Sequence, residues 1–197
     1  GSIFEFAQAA ARALEPLLDV PFAVFGYSLG ALMAFEWLRV VRRKQGREAT
    51  HLVTAACAAP HLQRRLSPIS GEPDPIFVRE LELRYGPFDA VIKGDPALFE
   101  VIVKIMRRDM AMLESYHYQN DEPFACPLLA LGGAADPSVL PDELQAWCAQ
   151  TQAKFAQRHF PGGHFFLRSS GQALRETILE HILSMKRSTE PAPPVFS

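Results

Sequence analysis

Between residues 21 and 45 the hydrophobic pattern changes period, and a serine sits at the change. Residues 21–25 (Pro-Phe-Ala-Val-Phe) are apolar without alternation, as a strand buried on both faces would be. From Leu29 onward, Leu32, Phe35, Leu38 and Val41 recur at helical spacing. Gly26-Tyr27-Ser28-Leu29-Gly30 joins the two segments, with a glycine two residues to either side of Ser28. A turn this tight brings backbone segments into contact, so a side chain at the flanking positions would clash. It lifts the serine hydroxyl above the strand ends and aims the helix N-terminus at it. The N–H groups there lack intrahelical partners and can stabilise a developing oxyanion. A bare G-x-S-x-G recurs by chance in many chains; between a strand and a helix it marks an activated serine.

The 197 residues suffice for one domain with a sizeable core, or for a core with an inserted subdomain. A net charge of −2 gives no reason to invoke nucleic acid or a membrane surface. Cys57, Cys126 and Cys148 are scattered without C-x-x-C spacing. That argues against a disulfide framework or a zinc site and fits a reducing, cytoplasmic compartment. No apolar run is long enough to span a bilayer, and no signal peptide is visible.

Residues 3–18 carry Phe4, Ala7, Ala11, Leu14 and Leu18 on about one face, a helix that Pro16 should end or distort. A strand at 21–26 and a helix over 29–44 follow. That helix ends in Arg39, Arg42, Arg43 and Lys44, cations suited to its C-terminus, with Gly46 as C-cap. Buried strands are predicted at 51–57 and 127–132 and a further strand at 153–160, with helices near 141–150 and 171–186. A strand, a helix and a strand in this order make a right-handed parallel unit. The excursion over 60–123 is too long for a simple crossover. It opens rich in Pro and Gly and then turns helical, with Asp95-Pro96 as N-cap and first helical residue. The predicted organisation is therefore a core of residues 1–59 and 124–187, a helical lid of 60–123, and a disordered tail of 188–197.

A serine nucleophile needs a base, and the base an orienting acid, in the chain order Ser, Asp or Glu, His. The strand at 127–132 runs into Gly132-Gly133-Ala134-Ala135-Asp136-Pro137, and the strand at 153–160 runs into Pro161-Gly162-Gly163-His164. Asp136 and His164 thus fall at the C-terminal ends of late strands, on the same edge as Ser28, where sites form in open α/β sheets. His51, His61, His117 and His181 lack a Gly-rich presenting loop, and His159 ends a strand. The carboxylates of Glu80, Glu82, Glu114 and Asp121 lie in the lid, without such an address.

The chain resembles the type II thioesterases of polyketide and non-ribosomal peptide biosynthesis, within the α/β-hydrolases. Four blocks carry the resemblance in order: Phe25 to Glu36; Ala59-Pro60-His61 with Arg64-Arg65; Leu131 to Pro137; and Phe160 to Leu167. It implies an α/β-hydrolase fold, a mostly parallel sheet flanked by helices with a helical lid inserted. It also implies a stand-alone enzyme that hydrolyses stalled or mis-primed acyl groups from the phosphopantetheine arm of acyl or peptidyl carrier protein domains; a monomer is expected. Carried over by motif, Ser28 is the nucleophile, His164 the base, Asp136 its orienting acid and the Leu29 N–H an oxyanion donor. Tyr27, Met106, Met110 and Phe165 are the candidate substrate-binding residues. The two methionines fit either an acyl channel or simple lid packing. Arg64 and Arg65 fit either carrier docking or an ordinary solvated pair.

The chemistry implied is acyl transfer through an acyl-serine, needing no metal or redox cofactor, because the phosphopantetheine belongs to the substrate. Two departures stand out. Tyr27 occupies a position that is often His in this family. The family's upstream strands and Gly-rich loop, which carries a second oxyanion donor, are expected to be missing from this chain. The other readings are an esterase acting on free small esters and a carrier-binding module without turnover.

Overall fold

The computed structural model describes residues 1–187, so the predicted tail of 188–197 lies outside the described residues. Helix α1 (Ile3–Leu14) starts at a capping box: the Ser2 hydroxyl accepts from the Glu5 N–H, and the Glu5 carboxylate accepts from the Ser2 N–H. Pro16 ends it early, in a 3₁₀ turn over Glu15–Leu17. Strand β1 (Ala23–Tyr27) leads into α2 (Leu29–Gln45), which closes on Gly46 in the left-handed conformation. Strand β2 (His51–Ala55) precedes the long excursion, and β3 (Leu128–Gly133) follows it. A short α-helix, α6 (Pro141–Gln145), continues as a 3₁₀ turn to Gln150, where one helix was predicted. Then come β4 (Phe155–Phe160) and α7 (Phe166–Arg187), which starts earlier than its apolar stripe suggests and bends at Ser170. The other labels, α3 (Asp74–Tyr85), α4 (Ala90–Gly94) and α5 (Pro96–Glu114), belong to the excursion.

The four strands are parallel, in the order β1-β2-β3-β4. Their register sets Tyr27 beside Ala55, Thr54 beside Ala130 and Gly133 beside Phe160, so the loops leaving β1, β3 and β4 emerge on one edge. β2 and β3 are buried along their whole length. β1 is not, although its sequence is equally apolar: Phe25 is 44% exposed. Burial on both faces requires neighbours, and β1 pairs only with β2 among the described residues. Helices α1 and α2 pack together on one face of the sheet through Ile3, Ala7, Ala11, Phe35 and Leu38, and α7 covers a second cluster through Phe166 and Leu174.

The excursion has a small core of its own, in which Phe77 and Leu81 of α3 meet Val103 and Met110 of α5. Asp95 caps α5 by accepting from the Ala97 and Leu98 N–H groups. The chain returns to the sheet over 115–123, and here the basic residues of α2 find their partners. Arg39 is buried; it bonds Glu36 at 2.8 Å and Asp121 at 3.3 Å, and donates to the Gln119 carbonyl. Arg43 reaches Asp121 at 2.7 Å, and Arg42 the Glu122 carbonyl at 2.7 Å. These cations fasten the return segment, a role beyond complementing a helix terminus. Among the described residues, no helix is long and apolar enough to cross a membrane.

Candidate active site

Ser28 stands at φ 53°, ψ −122°, a conformation that L-residues seldom adopt, held by its N–H bond to the Ala55 carbonyl at 2.8 Å. Of the two flanking glycines, only Gly26 is sterically required: a Cβ there would lie 2.4 Å from the Gly30 carbonyl oxygen. A Cβ on Gly30 would meet nothing within 4 Å. The N–H of Leu29 opens α2 at the foot of the serine.

His164 sits on the loop after β4, which passes close over the end of β3. A Cβ on Gly133 would be 2.3 Å from the Gly163 carbonyl oxygen, and the Ala135 N–H bonds the Gly162 carbonyl at 2.9 Å. The structure brings three of the predicted residues together across this edge. His164 Nε2 is 3.0 Å from Ser28 Oγ, and His164 Nδ1 is 3.0 Å from Asp136 Oδ2. Both His164 and Asp136 are buried. Ser138, which sequence reading overlooked, bonds Asp136 Oδ1 through its hydroxyl at 2.6 Å and its N–H at 2.9 Å. Its hydroxyl also lies 2.9 Å from His164 Nδ1. The only sequence signal for it is its place directly after Asp136-Pro137, two residues beyond the acid.

The serine and histidine open into a cavity of about 100 Å³. Leu29 forms part of its wall, with Tyr85 and Leu113 from the excursion and Tyr116 from the return segment. Tyr85 was not anticipated: its ring centre is 4.7 Å from that of His164, and its hydroxyl points at Met110 Sδ, 3.6 Å away. Burial pushes its phenol above the usual range.

The four candidate substrate-binding residues lie elsewhere. Met110 is buried in the excursion's own core, beneath Tyr85, and Met106 packs on the same cluster. Tyr27 donates its hydroxyl to the His164 carbonyl, bracing the histidine loop, and burial pushes its phenol up to about 12. Phe165 is largely exposed, with the Arg168 guanidinium 5.1 Å over its ring. Arg64 and Arg65 stand at the cavity wall, and each is engaged within the chain. Arg64 donates to the Leu113 carbonyl; Arg65 binds Glu143 at 3.1 Å and the Pro137 carbonyl at 2.9 Å. Cys57 also lines the cavity, but burial pushes its thiol up to about 12, so it offers no thiolate near neutral pH. The other histidines make different contacts, His61 with Gln150 at 2.8 Å and His51 with the ring of His181.

A parallel sheet carrying a strained serine at a strand–helix turn, with an acid and a histidine on later strand ends, defines an α/β-hydrolase. The profile of the thioesterase domain family matches residues 1–185, and the chain belongs to that family. It is 33% identical over 178 residues to the gramicidin S biosynthesis protein GrsT of Aneurinibacillus migulanus, covering 90% of this chain and 69% of GrsT. RedJ, a thioesterase from the prodiginine biosynthetic pathway of Streptomyces coelicolor, superposes with a TM-score of 0.80 at 33% identity, over 92% of this chain and 70% of RedJ. BorB, the type II thioesterase of the borrelidin biosynthetic cluster, gives a TM-score of 0.81 at 32% identity, over 92% of this chain and 73% of BorB. The chain spans about two thirds of the length of the curated relatives it matches.

Proposed function

We propose that this chain carries the catalytic centre of a cytoplasmic editing thioesterase, which hydrolyses acyl groups from the phosphopantetheine arm of carrier protein domains. The observation that carries the reading is the continuous relay from Ser28 Oγ through His164 to Asp136, each step 3.0 Å, opening on a small cavity. His164 Nε2 accepts the Ser28 proton as the hydroxyl attacks the thioester carbonyl. The Leu29 N–H, at the start of α2, donates to the developing oxyanion. The tetrahedral intermediate collapses, and the arm's thiol leaves with the proton from His164. Water, deprotonated by the same imidazole, then attacks the acyl-serine and releases the free acid. Asp136 holds the Nδ1 side of the ring throughout. The relay supports acyl transfer; the thioester and the carrier are inferred from the family. The catalytic steps call on no cofactor of the enzyme's own.

A comparison of substrates tests this. An acyl group on a phosphopantetheinylated carrier protein should be released with a kcat/KM at least about tenfold above that of the same acyl group as a free p-nitrophenyl ester. Equal or faster turnover of the free ester would replace the carrier reading by a general esterase. A carrier that binds without releasing acid would make the chain a binding module.

A further inference from the structure

We propose that Ser138 is a positioning residue of the catalytic relay, a fourth member acting through Asp136 and His164; the inference rests on the hydrolase reading above. Asp136 Oδ1 receives both hydrogens that Ser138 offers, from the hydroxyl at 2.6 Å and from the backbone N–H at 2.9 Å. This turns the carboxylate so that Oδ2 faces His164 Nδ1 at 3.0 Å. With its proton committed to Oδ1, the Ser138 oxygen presents a lone pair to the same Nδ1 at 2.9 Å. Nδ1 therefore meets two acceptors, Asp136 Oδ2 and Ser138 Oγ. Both favour the tautomer protonated at Nδ1, which leaves the Nε2 lone pair pointing at Ser28 Oγ. When Nε2 takes the serine proton, the imidazolium keeps both acceptors on its other side.

An ordinary turn after Asp136 would need only the Ser138 N–H, which any residue but proline supplies at that place. The hydroxyl is the additional element, and at 2.6 Å its bond has the length of a charge-assisted O–H···O⁻ contact. Ser138 also lies on the wall of the catalytic cavity. Its hydroxyl lies on the Nδ1 side of His164, opposite the Nε2 that faces Ser28.

The test reads Ser28 activation directly, by the second-order rate of labelling with a small fluorophosphonate, so it depends on neither thioester nor carrier. Ser138→Ala should slow labelling roughly tenfold, the loss of one hydrogen bond to a charged group. Ser138→Thr, which keeps the hydroxyl, should stay within about threefold of wild type. The isosteric pair Ser138→Thr and Ser138→Val repeats the comparison if the alanine variant folds poorly. In an Asp136→Asn background, Ser138→Ala should slow labelling less than in wild type, because the part of its action that passes through that carboxylate is already gone and only the contact with His164 Nδ1 remains. Unchanged labelling of Ser138→Ala, an equal slowing in both backgrounds, or a threonine variant as slow as alanine would each overturn the proposal alone. A wild type that does not label would overturn it together with the hydrolase reading.

Discussion

A Cβ on Gly26 would stand 2.4 Å from the Gly30 carbonyl oxygen and 2.6 Å from Ala31 Cα, backbone atoms that cannot move without unwinding the first turn of α2. Gly30 faces open space. Gly26→Ala should therefore destabilise the chain by about 2–3 kcal/mol through overpacking. Gly30→Ala, at a helical position, should be neutral or stabilising by up to about 1 kcal/mol. Urea denaturation of the two variants checks this, and equal losses would contradict it. The sequence offered both glycines as equivalent, since spacing alone does not say which one the crossing backbone touches. It did mark Ser28, Asp136 and His164, because each follows a strand whose apolar run is visible locally. Tyr85 left no comparable trace, because its contacts with His164 and Met110 cross the fold, and Ser138 left only its nearness to Asp136, because its contact with His164 does too.

At the level of elements, the excursion walls the candidate site through Tyr85 and Leu113 and is pinned at its return. Tyr85, at the end of α3, covers His164 and shields Met110. Tyr85→Ala should enlarge the cavity and shift selectivity toward longer acyl groups. The ratio of kcat/KM for an octanoyl over an acetyl substrate should rise by about tenfold or more, the worth of one or two buried methylenes. An unchanged ratio would show that Tyr85 does not bound the space an acyl group occupies. The return segment depends on Asp121. Against the cost of its partial burial, the hydrogen bonds from Arg43 and the Glu122 N–H, with the nearby Arg42, hold its carboxyl well below the usual range. A carboxyl lowered by folding stabilises the protein above its unfolded pKa of about 3.9, and that contribution fades as pH falls toward the folded value. Asp121→Asn should then lower the thermal midpoint at pH 7, with the gap to wild type narrowing below about pH 4. A gap independent of pH would contradict this. The α2 cations read as ordinary helix-end charges because their acid lies 82 residues beyond Arg39.

For the molecule as a whole, parallel register brings the ends of β1, β3 and β4 to one edge, and that alone assembles a serine, an acid and a histidine drawn from across the chain. The positions of the four strands and the sheet edge of the candidate site were legible, because continuous apolar runs alternated with helical stripes. The exposure of β1 was not, because an apolar strand is buried only where other strands flank it, and Phe25 remains 44% exposed. In the proposed cycle Ser28 carries the acyl group between thiol and water. Intact-mass analysis of the chain mixed with an acylated carrier protein tests it most directly, for wild type and Ser28→Ala side by side. Wild type should give free acid and a transient acyl adduct mapping to the Ser28 peptide, and the variant neither. Acid release that persists in Ser28→Ala, or an adduct on another residue, would contradict it.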